Sequence, residues 1–470
     1  MGPLLLAAIA QSIVPVATIT EGDDPCAAFD SAPTRHEDAR PMTIADLAHI
    51  ADIGSPVPGS PSPAFSISPV RERIAVLVSR GNPAENGYCQ RLLVMPFSGQ
   101  GVPVEIARGG AYIADDYSLR DFSSVRAGWP RPNPPRWSPN GTLIGYLRRE
   151  EGSTQVWLAD PDGGALPRKA TDLPDDVDSF AWAADGTGLI VATRPGIRAA
   201  AEAIAQEGSS GFLYDERFAP QIVGRPIPTG EVATRYIFAS LGDGSARLAT
   251  ADERSLLAPL PPENMSATAT IWQTGTQGRL AWIEPEEPEQ ILSPTRLVVV
   301  DPDGSRRVCA LRECDGVFQL WWSSDGSSLM ALQRTGWARS RTALLRWNHD
   351  EPSPQRIFET DDVIAGCQET GGEAICTREG SIRPIRIVAL NQRSGAQRIV
   401  FDPNPQLDHI RWGEVRRLRF RNAYGVESVA DRVRVSAEAI GCDTAETDAL
   451  LSRITVTDAI PDAVADADLV

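Results

Sequence analysis

The sequence predicts an all-β fold, a β-propeller of six to eight four-stranded blades with seven the expected number. A short N-terminal helix precedes it and a poorly ordered tail follows. Three observations carry this. An aromatic or apolar residue, a Ser-Pro or Asp-Gly type turn and an alternating apolar strand recur along the chain, as in Trp137-Ser-Pro-Asn-Gly141 before Leu143–Leu147. Several copies are followed by a second strand ending in a tight turn, as in Gln155–Ala159 before Asp160-Pro-Asp-Gly163; Asp-Gly turns after short alternating strands mark hairpins. Finally, one four-stranded sheet has two apolar faces and cannot bury them alone, whereas radial stacking buries both.

Taken in order, residues 1–17 carry a short apolar run, Leu4–Ala10, with Ala8 and Ala10 before Gln11 and a second possible cut after Ala17. That pattern fits a signal peptide, although a basic leading segment is missing and an ordinary buried strand is the competing reading. Residues 18–63 form an N-terminal segment in which Thr43 caps a short helix, Thr43–Ile50, and Ser55–Pro63 is a Pro-rich linker. Residues 64–430 form the propeller. Its copies begin at Phe65-Ser-Ile-Ser-Pro69 with Ile74–Val78 and continue through Trp137, Phe180–Gly186 with Leu189–Ala192, the weaker Ile271-Trp272 with Leu280–Ile283, and Leu320–Gly326 with Leu329–Leu332. Second strands at Arg296–Val300 and Ile385–Leu390 run into Asp301–Gly304 and Asn391–Gly395. Six blades are recognisable, and chain-end strands would complete a seventh. The large residue before each turn, such as Trp137 or Trp321, is expected between blades. Irregular spacing from Trp182 to Trp322 implies insertions. One of them, Ile197–Ala205, is a strong helix former leading to Gly211–Phe218. A polar and aromatic loop on a rigid scaffold suits binding, which makes Tyr214, Asp215, Glu216 and Arg217 the ligand-binding candidates; a helix that only caps a blade is the alternative.

The formal net charge of -17 excludes tracking a phosphate backbone and argues against anionic lipid. Thus no nucleic-acid partner is expected, and no stretch after the N-terminus is long and apolar enough for a membrane span. Among the seven cysteines, Cys309/Cys314 and Cys367/Cys376 are spaced to close small loops, Cys26/Cys89 could form a third pair, and Cys442 is odd. Disulfides belong to oxidising compartments and point to a periplasmic or secreted protein; reduced, buried thiols are the alternative. No Cys-x-x-Cys and no ligand spacing between histidine and cysteine occurs, so no metal site and no cofactor is expected.

Catalytic motifs are missing. There is no Gly-x-Ser-x-Gly nucleophile turn, P-loop, Rossmann glycine fingerprint or His-Glu-x-x-His. None of His36, His49, His349 and His409 stands near a plausible nucleophile, so no catalytic residue is assigned. The pairs Asp115-Asp116 and Asp175-Asp176 read as solvated turns.

Several segments together resemble the lasso peptide isopeptidases of the prolyl oligopeptidase family. They are Met42–Leu47 with Asp52-Ile-Gly54, Asn86-Gly-Tyr-Cys89, Gly211–Arg217 and Arg421-Asn-Ala-Tyr-Gly425. The resemblance spans about residues 42 to 430. It implies a propeller that encloses and recognises a lasso peptide, beside a serine hydrolase domain that cleaves its isopeptide bond. Residues 431–470 carry nine acids, three bases and no aromatic residue. They are read as an acidic tail in place of the hydrolase domain, from a truncated or frame-shifted gene, and no family catalytic residue is carried over. The alternative reading is a free-standing exported TolB-like propeller that binds a protein or peptide partner.

Overall fold

The computed structural model describes residues 40–54, 63–83, 86–219, 223–262, 265–290, 293–309, 313–336, 339–348, 350–412, 414–421 and 427–434. The expected signal peptide, Cys26, Cys442, His36, His349, most of the Pro-rich linker and residues 435–470 lie outside them.

Six antiparallel four-strand meanders follow one another, numbered here as blades 1 to 6. Their innermost strands are Phe65–Ile67, Arg136–Trp137, Val177–Trp182, Ile271–Thr274, Val317–Trp322 and Val363–Glu369, and their outermost are Val104–Arg108, Arg168–Lys169, Ala246–Leu248, Arg306–Cys309, Gln355–Thr360 and Gln397–Phe401. Ala51–Asp52 adds a fifth strand to blade 1. Among the described residues the blades number six, not the expected seven. Chain-end strands instead form a separate hairpin, Glu414–Arg421 with Glu427–Arg434, and a short parallel pairing of Arg40–Pro41 with Ile410–Arg411. The physical reason is that blade 6 already packs on blade 1. Phe65, Ile74, Val76 and Met95 share one buried cluster with Ile375, Ile387, Ala389 and Val400, so these two blades meet with no sheet between them.

The recurring turn has a local cause. Ser138 Oγ accepts from Leu143 N at 2.9 Å, and Asn140 Oδ1 accepts from Thr142 N at 3.1 Å. Gly141 has φ 68°, and a Cβ there would stand 2.4 Å from Val70 Cγ2 of blade 1. Only glycine serves both the positive φ and the close approach. Asp185 and Asp325 repeat the role of Asn140, accepting from Thr187 N at 3.0 Å and Ser327 N at 2.9 Å. The tryptophans lie between blades as expected: Trp137 belongs to the cluster joining blades 1 and 2, and Trp321 to that joining blades 5 and 6.

Strand direction alternates, so the first and third turns of each blade lie at one end of the ring. The other end collects the second loops and the blade-to-blade links. All the tight turns named above fall at the first end. At the second end lie the hairpin Ala114–Leu119 with Phe122–Pro130, helix α1 (Ile44–Ala48), helix α2 (Pro195–Gly208), and the segments entering blade 1 and leaving blade 6. Helix α1 starts with a capping box between Thr43 and Asp46.

Cys309–Cys314 and Cys367–Cys376 are disulfide-bonded, with Cα atoms 5.9 and 4.1 Å apart. Cys89 is also disulfide-bonded; its expected partner lies outside the described residues. Peptide mass mapping of protein made in an oxidising compartment should therefore recover both short loops as cross-linked peptides. Free thiols at these four positions would contradict the pairing.

Candidate peptide-binding face

Two insertions meet at the second end of the ring. The first is the hairpin between blades 1 and 2; the second is the long loop of blade 3, residues 194–234, which includes α2. They pack through a small apolar cluster, Phe122 and Val125 against Ala219, Val223 and Ile227. Backbone bonds reinforce it: Ser123 N donates to Pro228 O at 2.8 Å, and Gly230 N to Asp121 O at 2.9 Å.

A four-member ion network ties this lobe to blade 3. Arg194 donates to Asp178 Oδ2 at 2.8 Å and lies 2.8 Å from Asp116 Oδ2; Arg131 bridges the same two carboxylates at 2.5 and 3.0 Å. Burial works to raise the Asp116 carboxyl, but the Ser124 hydroxyl and the two guanidiniums outweigh it and hold the carboxyl below its ordinary value. The hydrogen bond from Arg194 to Asp178, above all, raises the Arg194 guanidinium. Asp175 is buried and accepts from Arg198 at 2.7 Å, while Asp176 accepts from Thr154 N at 2.8 Å. The carboxylate pairs expected as solvated turns are thus structural anchors. Sequence pattern could not show this, because their arginine partners lie on other strands and loops.

The ligand-binding candidates divide. Arg217 is held by Glu207 at 2.7 and 2.9 Å and by Asp215 at 2.8 Å. Those bonds, with Glu207 the larger cause, raise the guanidinium and lower both carboxyls. Asp215 and Arg217 therefore serve each other as a clamp between the end of α2 and the following loop, not as free groups for a ligand. Glu216 is exposed. Tyr214 is 73% exposed and stacks on Phe218 with ring centroids 4.9 Å apart. Leu213, 67% exposed, and Phe212 accompany it.

A second aromatic pair was not legible in the sequence. Tyr117 and Trp129 stack at 6.0 Å across the inserted hairpin, both well exposed, and the Trp129 indole donates to Asp115 at 3.3 Å. The signal available was the aromatic residues Tyr117 and Trp129 in the same segment as Asp115 and Asp116. The lobe thus presents aromatic surface on a braced support. Such surface supplies contact area at small entropic cost. Nearby, Tyr88 and Tyr112 stack at 4.7 Å. Burial pushes the Asp52 carboxyl up, and burial with the Asp52 charge does the same to Glu379. In the ring's centre a cavity of about 690 Å³ is walled by the inner strands of blades 4, 5 and 6, with Trp272, Gln273, Trp321 and Gln368. Among the described residues no cluster of three or more His, Cys, Asp or Glu could hold a metal ion, and no helix is long and apolar enough to cross a membrane.

Fold and insertions together define a β-propeller that carries an inserted aromatic lobe at one end of the ring. Comparison then shows that the resemblance is to the N-terminal propeller part of the lasso peptide isopeptidases. Lasso peptide isopeptidase AtxE2 from Asticcacaulis excentricus is 32% identical over 402 residues, which cover 84% of this chain and 56% of that protein. The structure of its apo form matches with a TM-score of 0.74 at 30% identity, over 84% of this chain and 59% of that one. A variant of AtxE2 with Astexin3-dC4 bound matches equally well. The uncharacterized peptidase YuxL from Bacillus subtilis is 35% identical over 65 residues, 14% of this chain. No family model matches. The chain spans little more than half the length of AtxE2.

Proposed function

We propose that this chain is the substrate-recognising propeller of a lasso peptide isopeptidase, acting in an exported, oxidising setting. The observation that carries the reading is the continuous match to AtxE2 along 84% of the chain, together with a structure of that enzyme with Astexin3-dC4 bound. The braced aromatic lobe and both chain connections lie at the same end of the ring, where a folded peptide would be held against an adjoining hydrolase domain. Tyr214 and Trp129 supply contact area in this reading, and Glu216 supplies charge at the rim. Asp215 and Arg217 fix the loop that presents them. Paired cysteines support the oxidising compartment.

Titration calorimetry of the purified chain with a threaded lasso peptide tests this. Binding is expected, and Tyr214→Ala and Trp129→Ala should each weaken it by about tenfold, the scale of an aromatic contact residue. Neither substitution should shift the melting temperature, since both side chains are exposed. Unchanged affinity in both variants would remove the lobe as the binding face.

A further inference from the structure

Five of the six blade junctions are closed at the inner strands by a hydrogen bond and behind them by a shared apolar cluster. Trp137 Nε1 of blade 2 donates to Ser66 O of blade 1 at 3.2 Å, and Trp182 Nε1 of blade 3 to Arg136 O of blade 2 at 2.9 Å. Trp322 Nε1 of blade 5 reaches Gln273 O of blade 4 at 3.5 Å. Gln319 and Cys367 exchange two bonds between blades 5 and 6, at 2.9 and 3.1 Å. Gln368 Nε2 of blade 6 donates to Phe65 O of blade 1 at 3.1 Å. The matching apolar clusters join blades 1–2, 2–3, 4–5, 5–6 and 6–1.

The junction of blades 3 and 4 has neither. Among the described residues no hydrogen bond, ion pair or shared cluster crosses it. The cause is visible in the repeat. Trp137, Trp182 and Trp322 each pair with the first apolar residue of the next strand, Ile144, Leu189 and Leu329; in blade 4 the residue so placed, opposite Leu280, is Thr274. A threonine cannot carry an indole N–H across to blade 3. Behind it, Leu280, Trp282 and Val298 are covered by Met265 and Ala269 of blade 4's own approach segment and by Trp272 of its inner strand instead of by blade 3. Pro259 of that same segment, with Thr270, Ile271 and Gln273, walls the central cavity.

We propose that the ring parts at the seam between blades 3 and 4, not where the chain ends meet, and that the parted seam is a lateral entrance to the central cavity for an extended peptide segment. The chain-end junction is the better closed of the two. Besides its core and the Gln368 bond, Asn404 both accepts from and donates to the Ala51 backbone at 2.7 Å, and Arg398 donates to Phe97 O at 2.8 Å. Local opening follows the weakest set of buried contacts. The entrance role rests on the peptide-binding reading above; the parting of the seam does not.

Hydrogen exchange on the ligand-free chain tests the seam. Amides of Val177–Trp182 and Ile271–Thr274 should exchange faster than those of Phe65–Ile67 and Val363–Glu369. Thr274→Trp, which supplies the missing donor, should slow exchange at the seam by about fivefold or more, the scale of one net hydrogen bond. Trp322→Phe, which deletes the donor between blades 4 and 5, should raise exchange at Val317–Trp322 by a similar factor, and serves if the larger residue at 274 is not accommodated. Equal exchange at the 3–4 and 6–1 junctions, or faster exchange at the latter, overturns the proposal. In a second arm, stopped-flow association of a lasso peptide should be slowed by about fivefold in Thr274→Trp. An unchanged association rate despite slowed seam exchange overturns the entrance and leaves peptide binding standing. No binding by either chain removes the peptide reading, and the entrance with it, while the exchange result stands.

Discussion

Replacing Glu284 with alanine should cost about 3 kcal/mol of stability, read as a lowered midpoint in chemical denaturation. Its side chain is only 2% exposed, yet it accepts from the Trp282 indole at 2.7 Å and pairs with Arg296 and Arg306 at 2.7 and 3.0 Å. Removal leaves a buried indole N–H without its acceptor and two cations without their common partner. Because both guanidiniums are a third to a half exposed, water recovers part of their loss, which places the effect at the lower end of the range for a broken buried pair. Burial alone would raise the Glu284 carboxyl. The bond from Trp282, then Arg296 and Ser266, prevails and holds it below its ordinary value. A folded value below the unfolded one means that its contribution is complete above about pH 4.3 and is lost as pH falls through the folded value. Glu284→Gln should therefore flatten the acid limb of the stability profile. An acid limb of the same slope in both proteins would show that this carboxylate is not responsible.

A second large effect is expected at the meeting of the chain ends. Phe65 is fully buried in the cluster shared by blades 1 and 6, and its strand accepts the Gln368 hydrogen bond. Phe65→Ala removes a whole ring from a packed junction and should destabilise the protein by roughly 3–5 kcal/mol. Val76 and Ile387 lie in the same cluster, and relaxation around the cavity decides where in that range the loss falls. Equilibrium urea unfolding followed by tryptophan fluorescence measures it. A loss under about 1 kcal/mol would mean that blades 1 and 6 separate readily, contrary to the closed junction described here.

Binding and stability should respond to different residues because the fold separates the solvent-facing surface of the insertions from the packed surfaces between strands and blades. The first end is built of short turns fixed by Asn140, Asp185 and Asp325, each satisfied within its own turn. Among the described residues the long insertions lie at the second end, and they brace one another through ions such as Arg194 with Asp116. Substitutions at Tyr214 or Trp129 touch solvent-facing surface, whereas those at Glu284 or Phe65 reach between strands. This is why affinity and melting temperature should move independently in the two sets of variants.

Much was legible in the sequence itself. Strand alternation, the Ser-Pro-Asn-Gly and Ser-Asp-Gly turns, the inter-blade tryptophans, the capping box at Thr43 and the two short disulfides are written in neighbouring residues. Turn geometry, capping and small-loop closure act over a few positions, so local sequence decides them. The segment Gly211–Phe218 also reads as a loop in the sequence, and Tyr214 lies at its surface. What lay beyond reach depended on residues far apart in the chain. Arg217 reads as a ligand group until the end of α2 brings Glu207 against it. Asp115-Asp116 reads as a solvated turn until Arg131 and Arg194 arrive from other elements. The blade count turned on whether blade 6 could close directly on blade 1, a matter of packing between Phe65 and Ile387. The open seam needed both levels: Thr274 stands plainly in the sequence, but only the assembled ring shows that a tryptophan at its position would have closed the junction.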